Sequence, residues 1–407
     1  MEKSPVPAEI TASTPTTVQN EINLVSESGI QALTTSTELA SATQVDIHLP
    51  GNPVWVAGIP YADGTAWAVA LDDGSLLAYA VSANGYEEVE IAPRNLPVGM
   101  PLTIYASGGL IYALAPPGAD AAPYSLPVLL DGGVAYLANN GELVIQQGDA
   151  ETRLPVNALP DSRMLLDDTG RLLLLSQPTT DYAHAVLGDD IEATGITLVA
   201  TQPEPKILQE ISIPNGDVIE GIAPLWVDMN GDGAREIIVT LSNAREGARL
   251  IVFREDGGVL AQGEPIGTGY RWRHQLVAAP FGDSNEMLLA VVRTPHIGGV
   301  IEYYQLNGQQ LEITESISGF STHSIGSRNL FTAQAGDFDN DGKLELLLPD
   351  QSHKQLGIVG LDGEPVFWFE LEAELATNLA AVEMPESGEV SIAAGLSNKT
   401  LRIWVSK

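Results

Sequence analysis

Residues 43–49, TQVDIHL, read as one β-strand that belongs to no local group of strands. From residue 54 onward, short strand patterns come in fours. VWVAGI (54–59), AWAVAL (66–71), LLAYAV (76–81) and EEVEIA (87–92) form the first set, divided by YADG, DDGS and SANGY turns. The Asp-Gly and Asn-Gly pairs in those turns suit tight hairpins. APLWVDM (223–229), REIIVTL (235–241), RLIVFRE (249–255) and GGVLAQG (257–263) repeat the scheme, and no stretch sustains a helical period. First strands near residues 54, 103, 162, 225, 276, 331 and 379 are spaced by roughly 50–60 residues, slightly above propeller-blade spacing. The last set supplies only LAAVEMP, VSIAAGL and TLRIWVS before the chain ends. TQVDIHL is the missing fourth strand. Pairing it with the C-terminal blade closes a ring and removes two sheet edges. The expected fold is an all-β, seven-bladed β-propeller spanning 43–407. Eight blades stay open, because residues 98–160 hold about six strand candidates that divide in more than one way.

Composition agrees. The 407 residues include 40 Gly and 26 Pro, and 44% are hydrophobic, enough for a core in a turn-dense chain. The net charge of −34 opposes nucleic acid or an anionic membrane as partner. With no cysteine, disulfides, thiolate metal sites and cysteine nucleophiles are excluded. No apolar run is long enough to span a bilayer, and MEKSPVPAEI lacks a signal-peptide pattern, so a signal peptide would already have been removed. Residues 1–42, rich in Ser and Thr, are expected to form a flexible leader or a tether from a membrane anchor, with a short helical piece around Ile22–Leu33.

Two turns carry a chemical signal. In VDMNGDGAREIIV (227–239), Asp228, Asn230 and Asp232 alternate, Gly233 bends the chain and Glu236 follows. In GDFDNDGKLELLL (336–348) the set is Asp337, Asp339, Asp341, Gly342 and Glu345. Alternation in a curled loop turns three oxygen donors inward, and the carbonyl of Ala234 or Lys343 can add another. Several hard oxygen donors in a flexible ring suit Ca²⁺. An EF-hand would need a bidentate Glu at its twelfth position, where Val239 and Leu348 stand, and a helix after the loop, where EIIVTL and ELLLPD are β-rich.

An acid at the ninth position followed by a strand resembles the FG-GAP or VCBS repeats of integrin-α-like propellers. The resemblance is clear in the two loops and looser over 220–407. It implies a propeller with Ca²⁺ bound between the first and second strands of two blades, a structural role, with Glu replacing the commoner final Asp. The corresponding turns near residues 63, 283 and 386 lack the triple alternation and are assigned no metal.

In a propeller, the loops entering each first strand share a face with those joining second and third strands, opposite the acidic hairpins. Those loops collect Tyr270, Arg271, Trp272, Arg273, His274, Arg293, His296, His323, Arg328, Asn329, His353 and Lys354, and further round Tyr182, His184 and Arg245. Five of the six histidines fall there, His48 being the exception. Arg271, Arg273, His274, Arg293, His296, His323, Arg328 and His353 are therefore expected to form a site for a protein or an anionic or polar glycan. No GxSxG, HExxH or phosphate-binding glycine loop occurs. The expected function is an extracytoplasmic, calcium-binding interaction module. The alternatives are a carbohydrate-active lyase or hydrolase using the same face, or a structural subunit of a surface assembly.

Overall fold

Frequent turns cut the chain into strands of at most nine residues. The computed structural model describes residues 31–406 apart from 83, 215, 283–285 and 386. Among the described residues there is no α-helix, and Leu39–Ser41 forms a 3-10 turn. No helix among the described residues is long and apolar enough to cross a membrane.

The strands assemble into a β-propeller. Among the described residues, seven sets of four antiparallel strands occupy residues 53–89, 128–154, 165–212, 225–263, 273–318, 334–370 and 375–405, numbered here as blades 1 to 7. Blades 3, 4 and 5 are joined edge to edge into one 13-stranded sheet, through Val218–Ile219 and a parallel pairing of Val259–Gly263 with Gln310–Ser318. Thr43–His48 supplies the fourth strand of blade 7. It pairs antiparallel with Thr400–Val405 from Thr43 opposite Val405 to His48 opposite Thr400. Arg402 and Asp46, opposite each other, are joined by two hydrogen bonds of 2.8 Å. The closing strand inferred from the sequence is thus the one used.

The region 98–160 divides differently from the expected single blade starting near 103. Ile104–Ser107 and Leu110–Ala113 form a hairpin whose second strand pairs in parallel with Ile91–Ala92, making an eighth, three-stranded sheet between blades 1 and 2. Its first strand contacts the inner strand of blade 1. The four strands of blade 2 begin only at Val128.

The core lies between blades. Each inner sheet position is covered on both faces, so second strands such as Glu236–Ser242 are buried along their whole length, while the outer strand Gln310–Ser318 is mostly exposed. Leu173, Ile196, Trp226 and Val239 join blades 3 and 4; Ile238, Leu250, Leu289 and Tyr304 join blades 4 and 5. Ile47, Val56, Trp67 and Ile403 seal blade 7 to blade 1. Gly58 is required there, because a Cβ would stand 2.4 Å from the Trp67 ring.

The predicted leader is corrected in its last part. Residues 1–30 lie outside the described residues, as does most of the expected helical piece. Residues 32–42 are no free tether: Leu33 and Leu39 are buried in the core shared by blades 6 and 7. Two well-placed leucines anchor a Ser/Thr-rich segment that composition alone marks as unstructured.

Candidate functional site

The two acidic hairpins adopt one conformation. Asp228 accepts hydrogen bonds from the backbone N–H of Gly231, Asp232 and Gly233, at 2.7, 3.2 and 2.9 Å. Asp337 likewise accepts from Asp341 and Gly342, at 3.2 and 3.0 Å. The last acid folds back in both loops: Glu236 accepts from Met229 N–H at 2.9 Å and Glu345 from Phe338 N–H at 2.8 Å. Ala234 and Lys343 N–H donate to Asp232 and Asp341, each at 2.8 Å, which fixes the backbone that carries their carbonyls. Asp337, Asp339, Asp341 and Glu345 bring one carboxylate oxygen each to within 4.8 Å of one another. Oxygens bound to one Ca²⁺ at 2.3–2.6 Å sit no more than about 5 Å apart, so this donor set fits that ion. In blade 4 the Asn230 amide bridges Asp232 and Glu236, at 3.1 and 3.3 Å. Crowding shows in the acidities. Burial, then the charges of Asp339, Asp337 and Asp341, push the Glu345 carboxyl up to about 8. Glu236 and Asp339 are raised chiefly by burial, with neighbouring aspartates adding to it.

On the opposite face, loops from blades 3, 5 and 6 bring rings together. His184 lies 5.4 Å from Tyr270 and 6.4 Å from His296, and His296 lies 5.6 Å from His323, all between centroids. Trp272 stacks on His274 at 5.1 Å and meets His323 edge-on at 5.1 Å. His353 joins through Ser321 Oγ, 2.8 Å from its Nε2. The loop 321–330 leads into blade 6 yet is held to blade 3, by Gly326 N–H on the Val186 carbonyl at 2.8 Å and by Arg328 on Asp161 at 2.9 Å and on Asp189. It therefore spans the basin and positions His323. Four of the five histidines lie in loops of this face, as the strand order implied, whereas His274 falls in the first strand of blade 5, buried, and joins them through its stack on Trp272.

The expected basic character is corrected. Arg273 is buried and donates to the carbonyls of Ala248 and Glu264, at 2.8 and 2.9 Å, beside Glu302. Arg293 pairs with Glu302 at 2.5 Å, and Arg328 with Asp161 and Asp189 while lying over the Tyr124 ring. Only Arg271, of the four expected arginines, is exposed to solvent. Burial pushes His274 down to about 3 and His323 down to about 4, and lowers His296 and His353, so these imidazoles are neutral near pH 7. Nδ1 of His296 and Nδ1 of His323 are buried with no hydrogen-bond partner among the described residues.

Two acids that the sequence did not single out underlie the rings. Glu220, fully buried, accepts from His184 and Ser242 side chains, and its carbonyl accepts from Trp272 Nε1–H at 3.0 Å. Glu192 lies nearby, and burial together with the Glu220 charge pushes it up to about 9. Among 53 acidic residues neither carries a local signal; only their burial beneath the rings marks them out.

No protein-family model and no curated protein sequence matches the chain. Solved structures do. BBS1N, in complex with ARL6, is similar at 10% identity and a TM-score of 0.50, covering 90% of this chain and 97% of that one. BamB from Moraxella catarrhalis is 12% identical with a TM-score of 0.45, covering 89% and 97%. The β-propeller domain of Myceliophteria thermophila Cps50 (Swd1) is 12% identical with a TM-score of 0.43, covering 90% and 100%. At these identities the likeness concerns the fold alone.

Proposed function

We propose that this propeller is an extracytoplasmic interaction module, clamped by structural Ca²⁺ in the hairpins of blades 4 and 6, that docks a protein partner on the ring-lined basin. The observation that carries the reading is an apolar rim. Tyr270, Ile297 and Ile325 are 52%, 68% and 69% exposed, in three separate loops of the histidine face. Large apolar groups exposed around a partly desolvated polar centre are what partner contact buries. With Arg273, Arg293 and Arg328 paired and burial holding His274, His296, His323 and His353 neutral, the basin favours such a partner over an anionic glycan. Calcium at ten times the dissociation constant would add about 1.4 kcal/mol per site. Levels of that order for a weak site occur outside the cytoplasm, which supports the location, and a tether through the first residues belongs to the same reading.

Two Ca²⁺ per chain is the expected stoichiometry by equilibrium dialysis. The test of docking is the double variant Ile297→Asp/Ile325→Asp. Its melting temperature stays near that of the wild type, because both side chains face solvent. Its affinity for a partner recovered by cross-linking falls about thirtyfold or more, the size of a hot-spot loss. Undiminished binding would remove the basin from the interface. A second reading, a carbohydrate-active lyase or hydrolase, is favoured by Glu192, whose carboxyl burial and the Glu220 charge push up to about 9, beside the His184–Glu220 pair. It requires turnover of an acidic glycan that Glu220→Gln abolishes.

A further inference from the structure

Two buried acceptors in the histidine basin lack a donor. His323, 1% exposed, donates Nε2–H to the Ser327 carbonyl at 2.9 Å, so its Nδ1 carries a bare lone pair. Neither that nitrogen nor Nδ1 of His296, whose ring centroid lies 5.6 Å away, has a hydrogen-bond partner among the described residues. A buried acceptor without a donor is costly, so its persistence points to a donor that the chain itself does not supply. Beneath the rings, Glu220 accepts from the His184 and Ser242 side chains, and Glu192 accepts from Gly221 N–H at 3.4 Å. Among the described residues neither carboxyl is paired with a lysine or an arginine. Tyr270, exposed at the mouth, lies 5.5 Å from Tyr182 and 5.4 Å from His184 between centroids, so ring faces line the approach.

We propose that the basin receives a primary ammonium, the side-chain amine of a lysine on the docking partner, enclosed by the rings of Tyr270, His184 and His296 and hydrogen-bonded to Nδ1 of His323. This rests on the docking reading of the basin. An ammonium has three donors and no acceptor, which complements bare imidazole nitrogens above carboxyls that no cation has claimed. Ring faces attract a cation, and more strongly once water is excluded. The apolar stem of a lysine covers Ile297 and Ile325 at the rim while its head is buried. A guanidinium fits less well, since its planar fork calls for a paired, coplanar acceptor. An anion is opposed by Glu220 and by the net charge of −34. Arg328, in the spanning loop, is committed to Asp161 and Asp189, and the exposed Arg271 is screened by solvent.

The full chain with isotope-labelled histidine, titrated with butylammonium chloride, tests this. Saturable shifts are expected at the ring signals of His296 and His323, and none with sodium butyrate or butanol at the same concentration. Tyr270→Ala, at an exposed side chain, weakens the amine about three- to tenfold, whereas Tyr270→Phe, which keeps the ring face, retains the affinity. Acetylating the lysines of the cross-linked partner lowers its affinity about tenfold or more; reductive methylation, which keeps the charge, does not. No saturable shift, or one that butanol reproduces, would mean that water alone satisfies the two nitrogens and would overturn the inference. Release of the partner by Ile297→Asp/Ile325→Asp would then leave the docking reading standing without it. An acetylated partner that binds as before would likewise remove the lysine. Amine binding together with undiminished partner binding by the rim variant would keep the ammonium site, for a free amine, and overturn docking instead.

Discussion

A chain that begins at Leu49 loses the cooperative fold. It lacks Leu33, Leu39 and Ile47, each at most 4% exposed in the intact protein. At about 1.5–3 kcal/mol per buried aliphatic side chain, that removes about 5–9 kcal/mol, comparable with the whole stability of many domains. Arg402, whose side chain is 3% exposed, also loses both hydrogen bonds to Asp46 and keeps the Glu370 carbonyl at 2.9 Å and the looser Glu372 carboxylate at 3.8 Å. A buried cation stripped of its two-bond carboxylate partner adds to the cost. The strand Thr400–Val405 becomes an unpaired edge, so aggregation accompanies the loss. Calorimetry should show a broad, low-temperature transition or none, and a synthetic peptide of residues 31–49 added in trans should restore it. An unchanged transition would mean that closure of the ring contributes nothing to stability.

Glu192→Gln stabilises the protein, by an amount that grows with pH. Burial, and secondarily the charge of Glu220, raise the folded-state carboxyl from 4.5 to about 9. The stability tied to this group is fully present below pH 4.5. Between 4.5 and 9 the unfolded chain releases the proton while the folded chain keeps it, so that stability declines by about 1.4 kcal/mol per pH unit and is gone above 9. Glutamine has no proton to lose. The variant therefore matches the wild type near pH 4.5 and exceeds it by about 3 kcal/mol at pH 7. The buried imidazoles act in the opposite sense. His274 and His323, depressed to about 3 and about 4, are neutral in the folded state and take up protons more readily when unfolded, so their contribution is lost as pH falls below about 6.5. Comparing the variant with the wild type at each pH cancels that background. Denaturant titrations from pH 4.5 to 8 measure the difference; a gap that does not change with pH would show that Glu192 is ionised in the folded protein.

The repeat of strand quartets, the closing role of TQVDIHL and the shared frame of the two acidic hairpins were all legible before any coordinates. Each depends on near neighbours: alternation with period two, turn residues at fixed offsets, and alternating donors in a short loop. The same reasoning assigned the histidine loops to one face, because strand order alone decides which loops lie together. It stopped at LTIYASGGLIYALA, residues 102–115, whose Gly108-Gly109 hairpin reads like the start of a full blade. In the structure the chain leaves after Ala113, and the third strand comes from Ile91–Ala92 upstream.

Charge was the least legible quantity. Arg328 reads as a free cation in the sequence, but its partners Asp161 and Asp189 arrive from another blade across the ring. His274 reads as a basic group, but stacked on Trp272 and sealed from solvent it does not hold a proton at neutral pH. Period and turn chemistry are properties of adjacent residues, so the sequence by itself determined the strands, the ring and the oxygen-lined hairpins. Desolvation and ion pairing depend on which distant segments meet, so only the tertiary structure decided that most of the basin's arginines are paired and most of its imidazoles uncharged, that Glu192 and Glu220 lie beneath it, and that the Ser/Thr-rich segment 32–42 is fastened to blade 6.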